Sequence, residues 1–194
     1  MSFDTSLCVY CASGIGIDSR HVEAARELGR AMAGQRIRLV YGGARIGIMG
    51  TLADAVLGAG GEVVGIIPRH LDKVEVGHRG ASQLIVVGSM HQRKHLMFEM
   101  SDAFAVLPGG FGTLDETFEI LTWRKLGLHD KPVVLVDIAG FWRPLLSLID
   151  HVIDQGFAAP ADRALYQVVG TVPALLLALE NAPRPRLVAQ PDRL

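Results

Sequence analysis

The segment Pro108-Gly109-Gly110-Phe111-Gly112-Thr113-Leu114-Asp115-Glu116 follows an apolar run, 103–107, and opens an amphipathic one, 113–126. Its three glycines in four positions let the backbone approach a ligand closely and take up positive φ. The free N–H groups at the start of the helix, together with its dipole, favour an anion there, phosphate above all. A plain tight turn between strand and helix would need only one glycine. Glu116 has two readings. It stands in T-x-x-E spacing with Thr113, so it could close a capping box, or it could do acid–base work beside the anion. Asp115 and Glu119 read as solvated acids that favour the helix dipole.

Two further loops point the same way. Gly42-Gly43-Ala44-Arg45-Ile46-Gly47-Ile48-Met49-Gly50 is a second glycine-rich passage from an apolar run into a helix. Two such loops at one edge of a sheet suit an elongated phosphorylated ligand, with Gly43 and Gly109 as backbone contacts. The alternative is that Gly47 and Gly50 only permit close helix–sheet packing. His91-Gln92-Arg93-Lys94-His95 is the densest cationic cluster. Cations at a helix start oppose the dipole, so an anion should compensate Arg93 and Lys94, unless this is simply a solvated basic turn. His91 and His95 lack an H-E-x-x-H pattern, and no metal site is read. The polar stretch 68–82 adds Glu75 and His78.

Several chemistries fall away. Ser19 stands where the third glycine of a dinucleotide fingerprint belongs, and the second strand ends Tyr41-Gly42 rather than in a ribose-binding acid. There is no G-K-[ST] loop and no G-x-S-x-G elbow. Cys8 and Cys11 are three apart on an apolar strand, hence on opposite faces, and read as buried, reduced thiols.

The elements that must position these residues alternate. Strands are expected at 7–11, 37–41, 63–67, 84–87, 103–107, 133–136 and 166–169. Helices are expected at 19–33, from the 42–50 loop to about 57, and at 90–100, 113–126, 141–155 and 173–180. Such alternation predicts one α/β domain, a Rossmann-like doubly wound parallel sheet with helices on both faces and ligands at the carboxyl ends of its strands. The domain is expected over 1–182, with a tail over 183–194. The 194 residues are 49% apolar and carry a net charge of −1, which offers no basic field for nucleic acid. No apolar run approaches a membrane span, and the N-terminus has no leader pattern, so the expected location is the cytoplasm.

The combination of the 42–50 loop, Met90-His91-Gln92-Arg93-Lys94 and Pro108–Glu116 resembles the Lonely Guy family of cytokinin riboside 5′-monophosphate phosphoribohydrolases. Its P-G-G-x-G-T-x-x-E signature is matched in full at 108–116 and its M-H-x-R-K element at 90–94. The resemblance spans about 7–157. It implies hydrolysis of the N-glycosidic bond of N6-substituted adenosine monophosphates, and of AMP, to free base and ribose 5-phosphate. It implies a homodimer with the site near the interface, and no cofactor or metal. Arg93 and Glu116 carry over as the catalytic pair; Glu75, Lys94, Gly110, Phe111, Gly112, Thr113, Leu114, Asp115 and Thr122 carry over as ligand contacts. Ala12 and Ala44 replace glycines of the family pattern. Arg93 is expected to bind the nucleotide and keep Glu116 ionised. Family members sometimes carry a lysine decarboxylase label, but none of the four lysines, Lys73, Lys94, Lys125 and Lys131, stands out as a Schiff-base site. The rival reading is a non-catalytic carrier of a nucleotide or of molybdenum cofactor on the same fold.

Overall fold

Short runs of β-branched residues, such as Val63-Val64 and Val133-Val134, alternate with helices whose apolar stripes face inward, and this sets the architecture. The computed structural model describes residues 5–72, 77–183, 185 and 187. The elements run β1 (Thr5–Tyr10), α1 (Ser19–Gly34), β2 (Ile37–Tyr41), α2 (Gly47–Gly58), β3 (Val63–Pro68), the single turn α3 (Arg69–Leu71), β4 (Gln83–Val87), α4 (Met90–Glu99), β5 (Ala103–Val106), α5 (Phe111–Lys125), β6 (Val133–Val136), α6 (Arg143–Asp154), β7 (Gln167–Val169) and α7 (Val172–Glu180). Two 3₁₀ turns, Ile138–Gly140 and Pro160–Leu165, join the last elements.

The seven strands form one parallel sheet in the order β4-β3-β2-β1-β5-β6-β7. Strand alternation divides the core in two. Leu7, Val9, Leu39 and Tyr41 pack under α1, α2 and α7, through Leu28, Leu52 and Leu175. Cys8, Tyr10, Val40, Phe104 and Val106 pack under α4, α5 and α6, through Phe98, Ile120 and Leu146. Cys8 and Cys11 accordingly lie in different clusters, both free and fully buried, and burial pushes both thiols up.

Chain order reverses between β1 and β5, so a crevice opens beyond their carboxyl ends. The two strand ends stay joined there: Leu107 N–H donates to the Tyr10 carbonyl at 2.9 Å and Ala12 N–H to that of Pro108 at 3.3 Å. The loop beginning at Pro108 thus leaves the sheet at the switch point.

Several boundaries shift by one or two residues from the sequence expectation, among them β1, which runs 5–10 and leaves out Cys11, and two helix starts. The fifth helix begins at Phe111, not at residue 113. The helix expected from 141 begins at Arg143, because Ala139 (φ 56°) and Gly140 (φ 77°) adopt left-handed conformations that break the preceding turn.

Candidate active site

Gly110 is the N-cap of α5; it has no side chain to cap the first turn, and that turn contains no acid. The leading N–H groups of α5 are therefore left without a side-chain cap or a first-turn carboxylate. Gly109 cannot carry a side chain: a Cβ there would collide with Thr113 Oγ1 and lie 2.6 Å from its Cβ. Phe111, the first helical residue, is 92% exposed.

The early start of α5 changes the reading of Glu116. With Gly110 as cap, Thr113 is the third helical residue and Glu116 the sixth, so they form no capping box. Both side chains instead turn inward and are buried, with Thr113 4% and Glu116 3% exposed. The Thr113 carbonyl accepts from Thr117 Oγ1 at 2.6 Å, inside the helix.

Arg93 reaches Glu116 from α4. Ser89 caps that helix by accepting from Gln92 N–H, and the Gln92 side chain in turn accepts from Gly88 N–H. Arg93 follows one turn in and is 5% exposed. Its guanidinium is held by main chain: Nε donates to the Ile66 carbonyl and Nη2 to that of Gly42, each at 3.2 Å. Nη1 faces Glu116 Oε1 at 3.6 Å. That is an ion pair without a hydrogen bond, so the carboxylate keeps its acceptor capacity for a ligand.

Burial pushes the Glu116 carboxyl up to about 7 from its ordinary 4.5. Arg93 pulls the other way, Asp115 and Glu119 add to the rise, and Lys94 offsets part of it. Arg93 therefore lowers the value as expected but does not hold Glu116 fully ionised near neutrality; desolvation outweighs the cation.

Lys94 lies between two acids of α5, 3.1 Å from Asp115 Oδ2 and 3.0 Å from Glu119 Oε1. The charges that compensate Arg93 and Lys94 at the helix start are thus Glu116, Asp115 and Glu119. Glu119 was not legible as a partner, since nothing local in the sequence pairs it with a residue 25 positions earlier. Leu114 is half-buried and packs against the α4–α5 core, while Gly112 has open space around its Cα. Thr122 sits further along α5, exposed, with Oγ1 donating to the Phe118 carbonyl at 2.7 Å. Glu75 lies outside the described residues.

In the 42–50 loop Gly43 takes φ +80° and packs against β3 at Ile66 and Ile67. Gly47 (φ +63°) has backbone 2.6 Å from the position of a Cβ, at Ser13, and a Cβ at Gly50 would collide with the Arg45 carbonyl. Neither contact is with the sheet: Gly47 makes room for the loop after β1 and Gly50 for the turn into α2, so both serve local backbone packing rather than helix–sheet packing. The site thus gathers Arg93, Lys94, Glu116, Asp115 and the 108–113 turn beyond the carboxyl ends of β1 and β5, with the Gly42 carbonyl against the Arg93 guanidinium.

The chain matches the family model described as "Possible lysine decarboxylase" over residues 49–179. It is 47% identical over 177 residues to a cytokinin riboside 5′-monophosphate phosphoribohydrolase of Rhodococcoides fascians, covering 91% of this chain and 89% of that protein. It is 41% identical over 184 residues to a protein of the same name from Arabidopsis thaliana, covering 94% and 86%. Among solved structures it is similar to the molybdenum cofactor carrier protein of Chlamydomonas reinhardtii, with a TM-score of 0.71, 21% identity and coverage of 91% and 96%, a likeness of fold.

Proposed function

The chain belongs to the cytokinin riboside 5′-monophosphate phosphoribohydrolase family, and on that premise we propose that it hydrolyses the N-glycosidic bond of cytokinin riboside 5′-monophosphates, and of AMP, to free base and ribose 5-phosphate. The observation that carries this reading is the buried Arg93–Glu116 pair beside the uncapped start of α5.

The 5′-phosphate rests on the N–H groups of the Gly110–Thr113 turn. A phosphate anchored there places the ribose toward the next turn, where Glu116 stands. Breaking the glycosidic bond builds positive charge on the ribose. The base departs with the electron pair of the broken C–N bond and takes up a proton from solvent, and water bonds to the ribose carbon; an ionised Glu116 holds ribose hydroxyls, stabilises the developing charge or takes the proton that the water gives up. Arg93 binds the nucleotide and favours the ionised form of Glu116. Anchoring by the remote phosphate makes a nucleotide, rather than a nucleoside, the substrate. Glu75, Lys94, Leu114, Asp115, Thr122, Gly43, Gly109, Phe111 and Gly112 are retained as ligand contacts of this reading.

A pyridoxal phosphate enzyme needs a lysine amine free to form a Schiff base. Lys94 is clasped by Asp115 and Glu119, Lys125 by Asp162, and Lys131 Nζ donates to the Phe98 carbonyl while lying 4.0 Å over the Phe98 ring. These three do not fit that cofactor, and Lys73 lies outside the described residues.

A homodimer belongs to the proposal. Phe111, Phe118 and Leu126 are exposed along α5, the helix that carries Glu116, and a second copy is the natural cover. The two unoxidised cysteines favour the cytoplasm. Among the described residues, no helix is long and apolar enough to cross a membrane.

The test is product analysis with AMP and N6-isopentenyladenosine monophosphate, using Glu116→Ala as control. Release of base and ribose 5-phosphate by the wild type, lost in the variant, is the expected result. Tight binding without release would leave the carrier reading instead.

A further inference from the structure

His78 is a buried polar residue, 8% exposed, that the proposed reaction does not use. It lies in the crossover between β3 and β4 and makes two contacts. Its main-chain N–H donates to the Gly43 carbonyl at 2.8 Å, next to an antiparallel bridge between Ala44 and Gly77. Its ring Nε2 lies 3.0 Å from Asp54 Oδ1 on α2, while Nδ1 is buried without a partner. One residue thus grips the loop that follows β2 at its first turn and the helix that the loop leads into.

That loop holds the Arg93 guanidinium. The Gly42 carbonyl accepts from Arg93 Nη2, and Arg93 lies so close over Gly42 that a Cβ there would collide with it. On its other side the Gly43 turn presses on β3, with the position of a Cβ 3.1 Å from Ile67 Cβ. The turn is therefore fixed by β3 below and by His78 above. The residues on either side of His78 are both held by Asp72, which accepts from Gly77 N–H at 3.2 Å and pairs with Arg79 at 2.7 Å.

We propose that His78 is a positioning residue for Arg93, tying the start of the 42–50 loop through its main-chain N–H to Gly43 and α2 through its ring to Asp54, so that the Gly42 carbonyl aims the guanidinium at Glu116. The main-chain bond to Gly43 is open to any residue but proline at 78; without the ring's tie to Asp54, α2 and the loop leading into it shift relative to residue 78, the Gly42 carbonyl moves with them, and Nη2 and Nη1 lose their alignment. Misplacement of such a group by a fraction of an ångström to an ångström costs about ten- to a hundredfold in rate.

The kinetic part of the test rests on the proposed hydrolase activity. In a double-mutant cycle of His78→Ala with Arg93→Ala, His78→Ala is expected to lower kcat about tenfold with a smaller change in KM, and to have no further effect once Arg93 is gone. His78→Gln, whose amide can reach Asp54 from the position of Nε2, is expected to restore most of kcat. Asp54→Asn, at a side chain 72% exposed, weakens the ring anchor without opening the core and should give a smaller loss of the same kind. The second readout needs no activity: the Arg93 Nε–H resonance in ¹⁵N-arginine spectra, assigned by its loss in Arg93→Lys. It should be sharp and slow to exchange in the wild type and His78→Gln, and broadened in His78→Ala. If the wild type releases no base, the hydrolase reading fails while this resonance still decides the clamp. Additive effects in the cycle, or an unchanged Arg93 resonance in a folded His78→Ala protein, would overturn the proposal.

Discussion

A carboxyl that titrates near 7 inside a protein is a liability for folding and an asset for chemistry. Between about 4.5 and 7 native Glu116 binds a proton that the unfolded chain has released, so its contribution to stability is full below 4.5 and is lost as pH rises through 7. At 1.36 kcal/mol per pK unit, the ionised form costs about 3 kcal/mol at pH 8. Glu116→Gln should therefore abolish turnover while raising the melting temperature at pH 8 by roughly 5–10 °C, with little gain at pH 5. Differential scanning calorimetry at the two pH values checks this; an equal gain at both would mean that native Glu116 has the same charge at pH 5 as at pH 8 and that its carboxyl is not raised to about 7. Activity runs in the opposite sense. On the proposed role of the ionised carboxylate, log kcat/KM should climb as pH rises toward about 7 and level above it. Arg93 opposes the effect of burial, so the residual activity of Arg93→Met should show that limb displaced to higher pH. A limb that stayed in place would mean that Arg93 does not set the ionisation of Glu116.

At the scale of elements, the sequence carried the strand–helix alternation because each strand is a short apolar run and each helix an amphipathic one. It also carried the two glycine loops and both members of the buried pair, since these lie within contiguous motifs. Less legible was the start of α5. Gly-Phe-Gly is poor local helix material, and only the docking of Thr113 against Gly109 and of Glu116 into the core draws the helix back to Phe111. The grip of Lys94 on Asp115 and Glu119 was equally hidden, because it exists only once α4 and α5 lie side by side on one face of the sheet. The glycines separate into two kinds by the same test of surroundings. Gly47→Ala would add a Cβ against the Ser13 and Gly14 backbone at φ +63° and should cost about 2 kcal/mol or more. Gly58→Ala, in the last position of α2 with open space around it, should stabilise by about 0.5 kcal/mol. Urea midpoints of the two variants decide this. A tolerated Gly47→Ala would mean that the loop can retreat from the residues after β1, and would weaken the picture of a rigid loop beside Arg93.

At the scale of the whole molecule, the balance is between one copy and two. The apolar faces of α4 and α5 that look toward the sheet are satisfied by the core, yet α5 also presents Phe111, Phe118 and Leu126 outward, where a monomer gains nothing from them. These residues are 7 and 8 positions apart, two turns each, so they follow one side of the helix. Glu116 lies between the first two on the opposite, buried side, which couples the packing of that outer face to the placement of the carboxylate. If a second copy covers α5, Phe118→Asp should convert a dimer into a monomer by sedimentation velocity. Its helix content should persist, because Phe118 is 43% exposed and not part of the buried clusters. Turnover should fall with the dimer, since the helix that carries Glu116 would lose its support on one side. A Phe118→Asp protein that remained dimeric and active would place the interface elsewhere and leave the α5 stripe as free surface. A monomer with full activity would separate assembly from catalysis, and the single-chain crevice formed by α4, α5 and the 42–50 loop would then suffice for the reaction.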